Sequence, residues 1–284
     1  AAESGMWRGG GGDNNWSTVA NWVGELAPTS SNTANITLGN TDSTVSVQDL
    51  TDPFLLNRLS IVGVGDGINL SGNALRFEAN GGLLPTVNCA REASNTIAND
   101  IEFADTLTVQ VNAGSLTLSG DITGVGQTLD KRGAGTLMLS GQANLEEISL
   151  STGTLAIDNT ATLDVTGEID FRSSGGAITL CSSDANTLTV GSSATPILIN
   201  LSSDVTLGTD GTGDLVFYGE LRGGGGAKVI TINNDTTTFY GSVTGSTNPI
   251  TKAGSGTLVL VNSSISKPLQ IEDGTVQIGD GGTT

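Results

Sequence analysis

The chain has 284 residues, among them 41 glycines, 29 acidic and 11 basic side chains and no histidine, for a net charge of −18 at pH 7. The missing imidazole excludes Ser-His-Asp and Cys-His nucleophiles, a His general base and His-ligated zinc, and the acidity opposes nucleic acid and anionic lipid. Charged residues make up only 14%. Abundant β-branched residues with scattered glycine indicate an all-β chain of short strands, with no 3.6-residue apolar period and no apolar run near the roughly 18 residues of a membrane span.

The chain opens Ala1-Ala2-Glu3-Ser4 without an initiator Met, as a removed leader or simple trimming leaves it. Residues 1–35 form a Trp/Gly-rich lead. All three tryptophans, Trp7, Trp16 and Trp22, fall here, and the glycine run at 9–12 reads as a flexible lead-in. Three roles suit such a cluster: a cap over the apolar end of a first coil, a docking socket for a neighbouring subunit, or an aromatic platform for carbohydrate. Residues 36–284 show no composition break and read as one continuous domain. The glycine run at 223–226 is a turn between coils.

Further along, the strands repeat. Gly114-Ser115-Leu116-Thr117-Leu118 precedes Leu129-Asp130-Lys131-Arg132-Gly133-Ala134-Gly135-Thr136-Leu137-Met138-Leu139, which returns as Ile250-Thr251-Lys252-Ala253-Gly254-Ser255-Gly256-Thr257-Leu258-Val259-Leu260. A second Gly-Thr-apolar strand follows 18 residues after Gly135 at Gly153, and 18 after Gly256 at Gly274. Phe217-Tyr218-Gly219 and Phe239-Tyr240-Gly241 are offset by 22. Self-similarity at 18–22 residues, carried by strands, predicts a parallel β-helix, or β-solenoid, with about 14 coils of ~20 residues. Leu137 and Leu139 then point inward, Thr136 and Met138 outward. One coil cannot bury its own inner face, so stacking builds the core. A β-sandwich shares the short alternating strands, but its turns recur about every 8–12 residues without self-similar sequence.

The pattern Lys-x-Gly-x-Gly-Thr-Leu-x-Leu, followed by Gly-Thr-Leu/Val-x-Ile, resembles the autotransporter-associated β-strand repeat at 130–157 and 251–284, and loosely at 109–120. Trp7-Arg8-Gly9, Trp16-Ser17-Thr18 and Asn21-Trp22 also resemble the opening of such passengers. The resemblance implies a right-handed helix, secreted through a removed leader to the surface of a bacterium. The outer-membrane β-barrel of autotransporters has no counterpart in these residues, so self-transport is not implied.

Catalytic and metal patterns are thin. Asn40-Thr41-Asp42 has the look of a polygalacturonase motif without its Asp pair and Gly-His-Gly, and reads as a turn. Glu146-Glu147 is an adjacent acidic pair on a loop. The stretches 208–215 and 279–282 distantly echo a calcium-binding nonapeptide, each once rather than in tandem. The Asn-x-Ser/Thr triplets at Asn15, Asn35 and Asn234 are of the kind such a composition yields by chance. A cleft of Asp and Arg around Arg172 or Arg222 would favour a carbohydrate-active enzyme. No cofactor and no metal site is expected. Cys89 and Cys181 stand 92 residues apart, four to five coils or on the order of 20 Å, beyond the roughly 7 Å limit of a disulfide. They are expected as buried free thiols, with an intermolecular link as the alternative.

The chain finishes part-way through a repeat, with Gly274, Thr275, Val276 and Ile278 in the final strand and no polar capping element. Such an edge is a template for another chain. The expectation is a non-catalytic extracellular structural or adhesive solenoid, self-associating head to tail into a filament, with copies of itself and surface glycans as partners. The alternatives are a glycan-binding or carbohydrate-active β-helix module and a fragment of a longer adhesin passenger.

Overall fold

A computed structural model describes residues 4–39, 42–261 and 263–279. The chain divides into two compact units, residues 1–145 and 146–284. Both are parallel β-solenoids, and among the described residues the strands make about eleven turns. The named strand pairs are parallel, which excludes the antiparallel sandwich. No described helix is long and apolar enough to cross a membrane, and among the described residues the helical structure is a single 3-10 turn at Val19–Asn21.

In the first unit each turn lays down three strands. On the first face Ser4–Trp7, Asn35–Leu38, Arg58–Ile61, Thr86–Cys89 and Leu107–Val111 pair in that order. The second face stacks Val45–Gln48, Asn69–Gly72, Ser94–Ile97, Ser115–Leu118 and Thr136–Leu139. The third stacks Phe54–Leu56, Leu75–Phe77 and Ile101–Phe103. The long strand Ile122–Arg132 turns a corner, pairing first with Ile101–Phe103 and then with Leu107–Val111.

The period-2 rule sets what is buried. Leu116 and Leu118 pair with Leu137 and Leu139, and all four side chains are inside, while Thr117 and Met138 lie between them on the outer side. A turn alone has no inner partner; stacking gives each leucine two, and full burial of each is worth about 1.5–3 kcal/mol.

In the second unit one face carries Gly153–Ile157, Ile178–Ser182, Val205–Leu207, Lys228–Ile232, Ile250–Ala253 and Leu269–Ile271. Another carries Leu188–Val190, Leu215–Tyr218, Thr236–Tyr240, Thr257–Val261 and Thr275–Ile278. The remaining face has Leu163–Phe171, Leu198–Leu201, Leu221–Gly223 and Val243–Gly245.

Turn length is less regular than the repeat spacing implies. The turn from Leu258 to its partner Val276 is short, whereas those from Arg58 to Thr86 and from Thr179 to Thr206 are about half as long again. The extra residues sit in loops that leave the stack, such as the segment 81–84, which is exposed throughout. Strand pairing needs a common register only at the faces, so corners absorb insertions. The count of fourteen coils is therefore too high.

The glycine run at 9–12 is not a loose lead either. The amides of Arg8 and Gly9 donate to the Asn21 carbonyl at 2.7 and 3.1 Å, and Gly11 N–H donates to Asn21 Oδ1 at 2.7 Å. Asn21 is buried, and its Nδ2 donates to Asp13 Oδ1 and the Asn15 carbonyl. One side chain ties the glycine run to the first turn.

Candidate functional site

The two Lys-x-Gly-x-Gly motifs bury their lysines. Lys131 and Lys252 are both 0% exposed. Each lies on a strand face that points inward at a corner, where backbone carbonyls turn toward the interior. Lys131 Nζ donates to the carbonyls of Arg132 and Gly133 at 3.0 and 2.7 Å. Lys252 Nζ donates to those of Ala253 and Gly254 at 3.0 and 2.5 Å, and to Asp273 of the following turn at 2.9 Å. Each ammonium thus satisfies corner carbonyls that burial would otherwise orphan. Burial pushes the Lys131 pKa down to about 8, opposed by the Asp130 carboxylate, and lowers that of Lys252, opposed by Asp273.

The glycines of the motif have the same origin. Gly133 and Gly254 take φ of +79° and +77°, a left-handed corner that a β-carbon disfavours. At Gly256 a β-carbon would overlap the Asn234 carbonyl of the preceding turn.

These two stretches resemble the passenger-associated-transport repeat. The model of that family matches residues 129–165 and 250–278. No curated protein and no solved structure matches the chain. The autotransporter-type repeat read from the sequence is thus present twice, on solenoid turns. In the second repeat the following turn of the same unit supplies a further acceptor, the Asp273 carbonyl.

The second passenger repeat also contains the proposed docking strand. Gly274 takes φ +71°, Thr275 is exposed, Val276 half-buried and Ile278 62% exposed. Among the described residues, Thr275–Ile278 and Leu269–Ile271 are each paired on one side only, with Thr257–Val261 and Ile250–Ala253. Ile271 is 58% exposed, and Ile265, bridged to Val243, is 37% exposed. Each face of this last turn therefore shows one isoleucine and a row of free backbone groups. Lys267, between them, has a buried Nζ without a hydrogen-bond partner, above Gly223. Burial, then the Lys228 charge, lowers its pKa.

The tryptophans lie inside the first turn. Trp7 meets Trp22 edge-on at 5.3 Å, Trp16 meets Trp22 at 5.4 Å, and Trp16 meets Phe54 at 5.2 Å. Trp16 Nε1 donates to Ser46 Oγ at 2.7 Å and Trp22 Nε1 to the Trp16 carbonyl at 2.8 Å. All three are buried, so no indole face is open to a sugar. What this end exposes is Met6, Val19, Val23 and Leu26; the strand Ser4–Trp7 pairs with Asn35–Leu38 on one side and is covered on the other by the antiparallel bridge of Trp7 to Trp22, where Val23 N–H donates to the Met6 carbonyl at 2.9 Å.

The polar candidates separate. Arg172 pairs with Glu147 and with Asp170 Oδ2 at 3.0 Å, and oxygens of Glu147, Glu168 and Asp170 lie within 4.8 Å of one another. This is the carboxylate grouping the sequence did not show, because its members come from successive turns. The guanidinium already bridges two of the three, and Asp170 Oδ1 is buried without a partner. Arg222 pairs only with Glu220, at 3.3 Å. Asp210 and Asp214 line an open cavity of about 350 Å³ with Asn234 and Asp235, but do not form a three-carboxylate cluster among the described residues. Asp42 pairs with Arg8 at 3.6 Å; Asn40 and Thr41 lie outside the described residues, as do Asp280, Gly281 and Gly282. Cys89 and Cys181 are buried free thiols. Burial pushes Cys181 up to about 11 and raises Cys89, the latter opposed by Arg91.

Proposed function

We propose that this chain is a segment of a bacterial surface or secreted passenger and serves as a non-catalytic structural and adhesive scaffold whose copies associate head to tail. The passenger repeats support the passenger assignment and the location. The observation that carries the association is the last turn, where Ile265, Ile271 and Ile278 project beside two one-sided strands. Single exposed apolar residues are ordinary, but three on the free edges of one turn are what a stacked turn covers. The occupant is the first turn of a second copy, which offers the exposed apolar side chains of Met6, Val19, Val23 and Leu26. A head-to-tail contact does not close on itself and gives filaments. The shared charge of −18 keeps such filaments apart laterally.

Light scattering across a concentration series tests this. The mass is expected to rise with concentration well beyond one chain, and the double variant Ile271→Lys, Ile278→Lys to remain at the mass of one chain. A single-chain mass for the unmodified protein at every concentration overturns the association. It leaves the next turn of a longer passenger as the natural cover of that edge.

A further inference from the structure

Aromatic surface on this protein is confined to one place. All three tryptophans and all six phenylalanines are buried, and the chain has two tyrosines. Strand Leu215–Tyr218 pairs with Thr236–Tyr240 in a register that sets Phe217 opposite Phe239 and Tyr218 opposite Tyr240. Alternation turns the phenylalanines inward, where they stack at 4.7 Å and 12°, and the tyrosines outward, where they stack at 4.7 Å and 9°. The inner pair fills the core. The outer pair has no core to fill, and Tyr240 is 37% exposed.

The stack is interrupted on one side. Val190 pairs with Phe217, so the next residue opposite Tyr218 is Gly191, which has no side chain to cover the ring. Gly191 takes φ +74°, and a β-carbon there would stand 2.8 Å from the Tyr218 carbonyl oxygen, so the gap is set by the backbone. Beside it opens a cavity of about 280 Å³ lined by Ser192, Ser193, Pro196, Tyr218, Tyr240 and Gly241. This is close to the lower end, about 300 Å³, of small-molecule sites and suits one ring rather than a large ligand.

The chemistry of the lining narrows the ligand. It contains no charged side chain. Two phenol rings and Pro196 supply an apolar floor. Ser192 Oγ is held by Thr195 Oγ1 at 2.8 Å, but the hydroxyls of Ser193, Tyr218 and Tyr240 have no hydrogen-bond partner among the described residues. An apolar peptide side chain would cover the floor and leave those hydroxyls unpaired, at a desolvation cost. A nucleotide brings phosphate toward a protein of charge −18. A pyranose ring has one face of C–H groups for the aromatic floor and a rim of hydroxyls for the three free ones.

We propose that the Tyr218–Tyr240 stack, with Ser193 and Pro196, is a binding site for a neutral pyranose sugar. It stands independently of head-to-tail association, since none of its residues lies in the first or last turn. Of the three roles open to the tryptophans, the carbohydrate platform is the one their burial removes, and the tyrosines on the solenoid wall take it.

Saturation-transfer NMR on the intact chain tests it, with methyl glucoside, methyl galactoside and methyl N-acetylglucosaminide as neutral probes and galacturonate as the charged one. Irradiating tyrosine ring protons is expected to saturate the ring C–H signals of at least one neutral glycoside, and galacturonate more weakly. Tyr218→Ala and Tyr240→Ala are each expected to weaken binding roughly tenfold, whereas Tyr218→Phe keeps the stack and most of the binding. Both rings lie outside the core, so the alanine variants retain the circular dichroism of the parent. No transfer to any neutral glycoside overturns the proposal, and so does transfer that persists unchanged in Tyr218→Ala.

Discussion

The ammonium of Lys252 and the α-carbon of Gly274 share one corner of successive turns: a β-carbon on residue 274 would stand 2.5 Å from Lys252 Nζ. The glycine that opens the second arm of the repeat is thus a consequence of the lysine that opens the first. Gly274 also takes φ +71°, and a side chain there would meet the carbonyls of Gly254 and Gly256. Gly274→Ala combines left-handed strain with displacement of a bonded ammonium, and is expected to lower stability by roughly 2–4 kcal/mol. Urea melts check it; a loss under about 0.5 kcal/mol, the level of an ordinary surface change, contradicts the shared corner.

Lys131 makes stability depend on pH. Its folded pKa is about 8 against an ordinary 10.5, so between those values the unfolded chain holds more protons and stability rises with pH. Cys181 acts oppositely, since a folded pKa of about 11 against 9.0 removes stability as pH climbs above 9. Lys252 and Lys267 are shifted the same way, so Lys131 is read from the difference between the parent and Lys131→Met in the window from about pH 8 to pH 9. The melting temperature is expected to rise across it, with Lys131→Met flattening the rise. A parallel slope in the variant contradicts the assignment.

Arg172 bridges two of three clustered carboxylates. Removing it in Arg172→Ala leaves oxygens of Glu147, Glu168 and Asp170 within 4.8 Å of one another without their bridging cation. The expected loss in urea melts at pH 7 is roughly 1–3 kcal/mol, and Arg172→Lys is expected to recover part of it. An equal loss in Arg172→Lys and Arg172→Ala contradicts a role for the charge.

The thiols are predicted to be inert. Both are buried, and burial raises both pKa values, so the reactive thiolate is scarce at neutral pH. A thiol-specific dye is expected to label neither in the folded protein and both in denaturant. Rapid labelling of either in the folded state contradicts that burial.

What the sequence shows clearly is what repeats in it. The spacing of Gly135 to Gly153 and of Gly256 to Gly274 announced stacked parallel turns, because alternation and turn chemistry are local. Lys131 and Lys252 were visible as part of a motif, but their role was not, since it depends on carbonyls that only the folded corner gathers. The Glu147–Glu168–Asp170 grouping was invisible for the same reason: Glu147 lies a turn before the Glu168–Asp170 pair, and turn length varies. Trp7, Trp16 and Trp22 bury one another, while Tyr218 and Tyr240 were legible only as the middle members of a repeated Phe-Tyr-Gly triplet. The glycine run at 9–12 read as loose because nothing local announces that Asn21 reaches back to hold it.

Electron microscopy of the purified chain is the most direct measurement of the central claim, that free edges of the last turn receive the first turn of another copy. Filaments one solenoid wide are predicted, reduced to separate particles by Ile271→Lys with Ile278→Lys. Separate single-chain particles for the unmodified protein, at concentrations where light scattering is also run, contradict it.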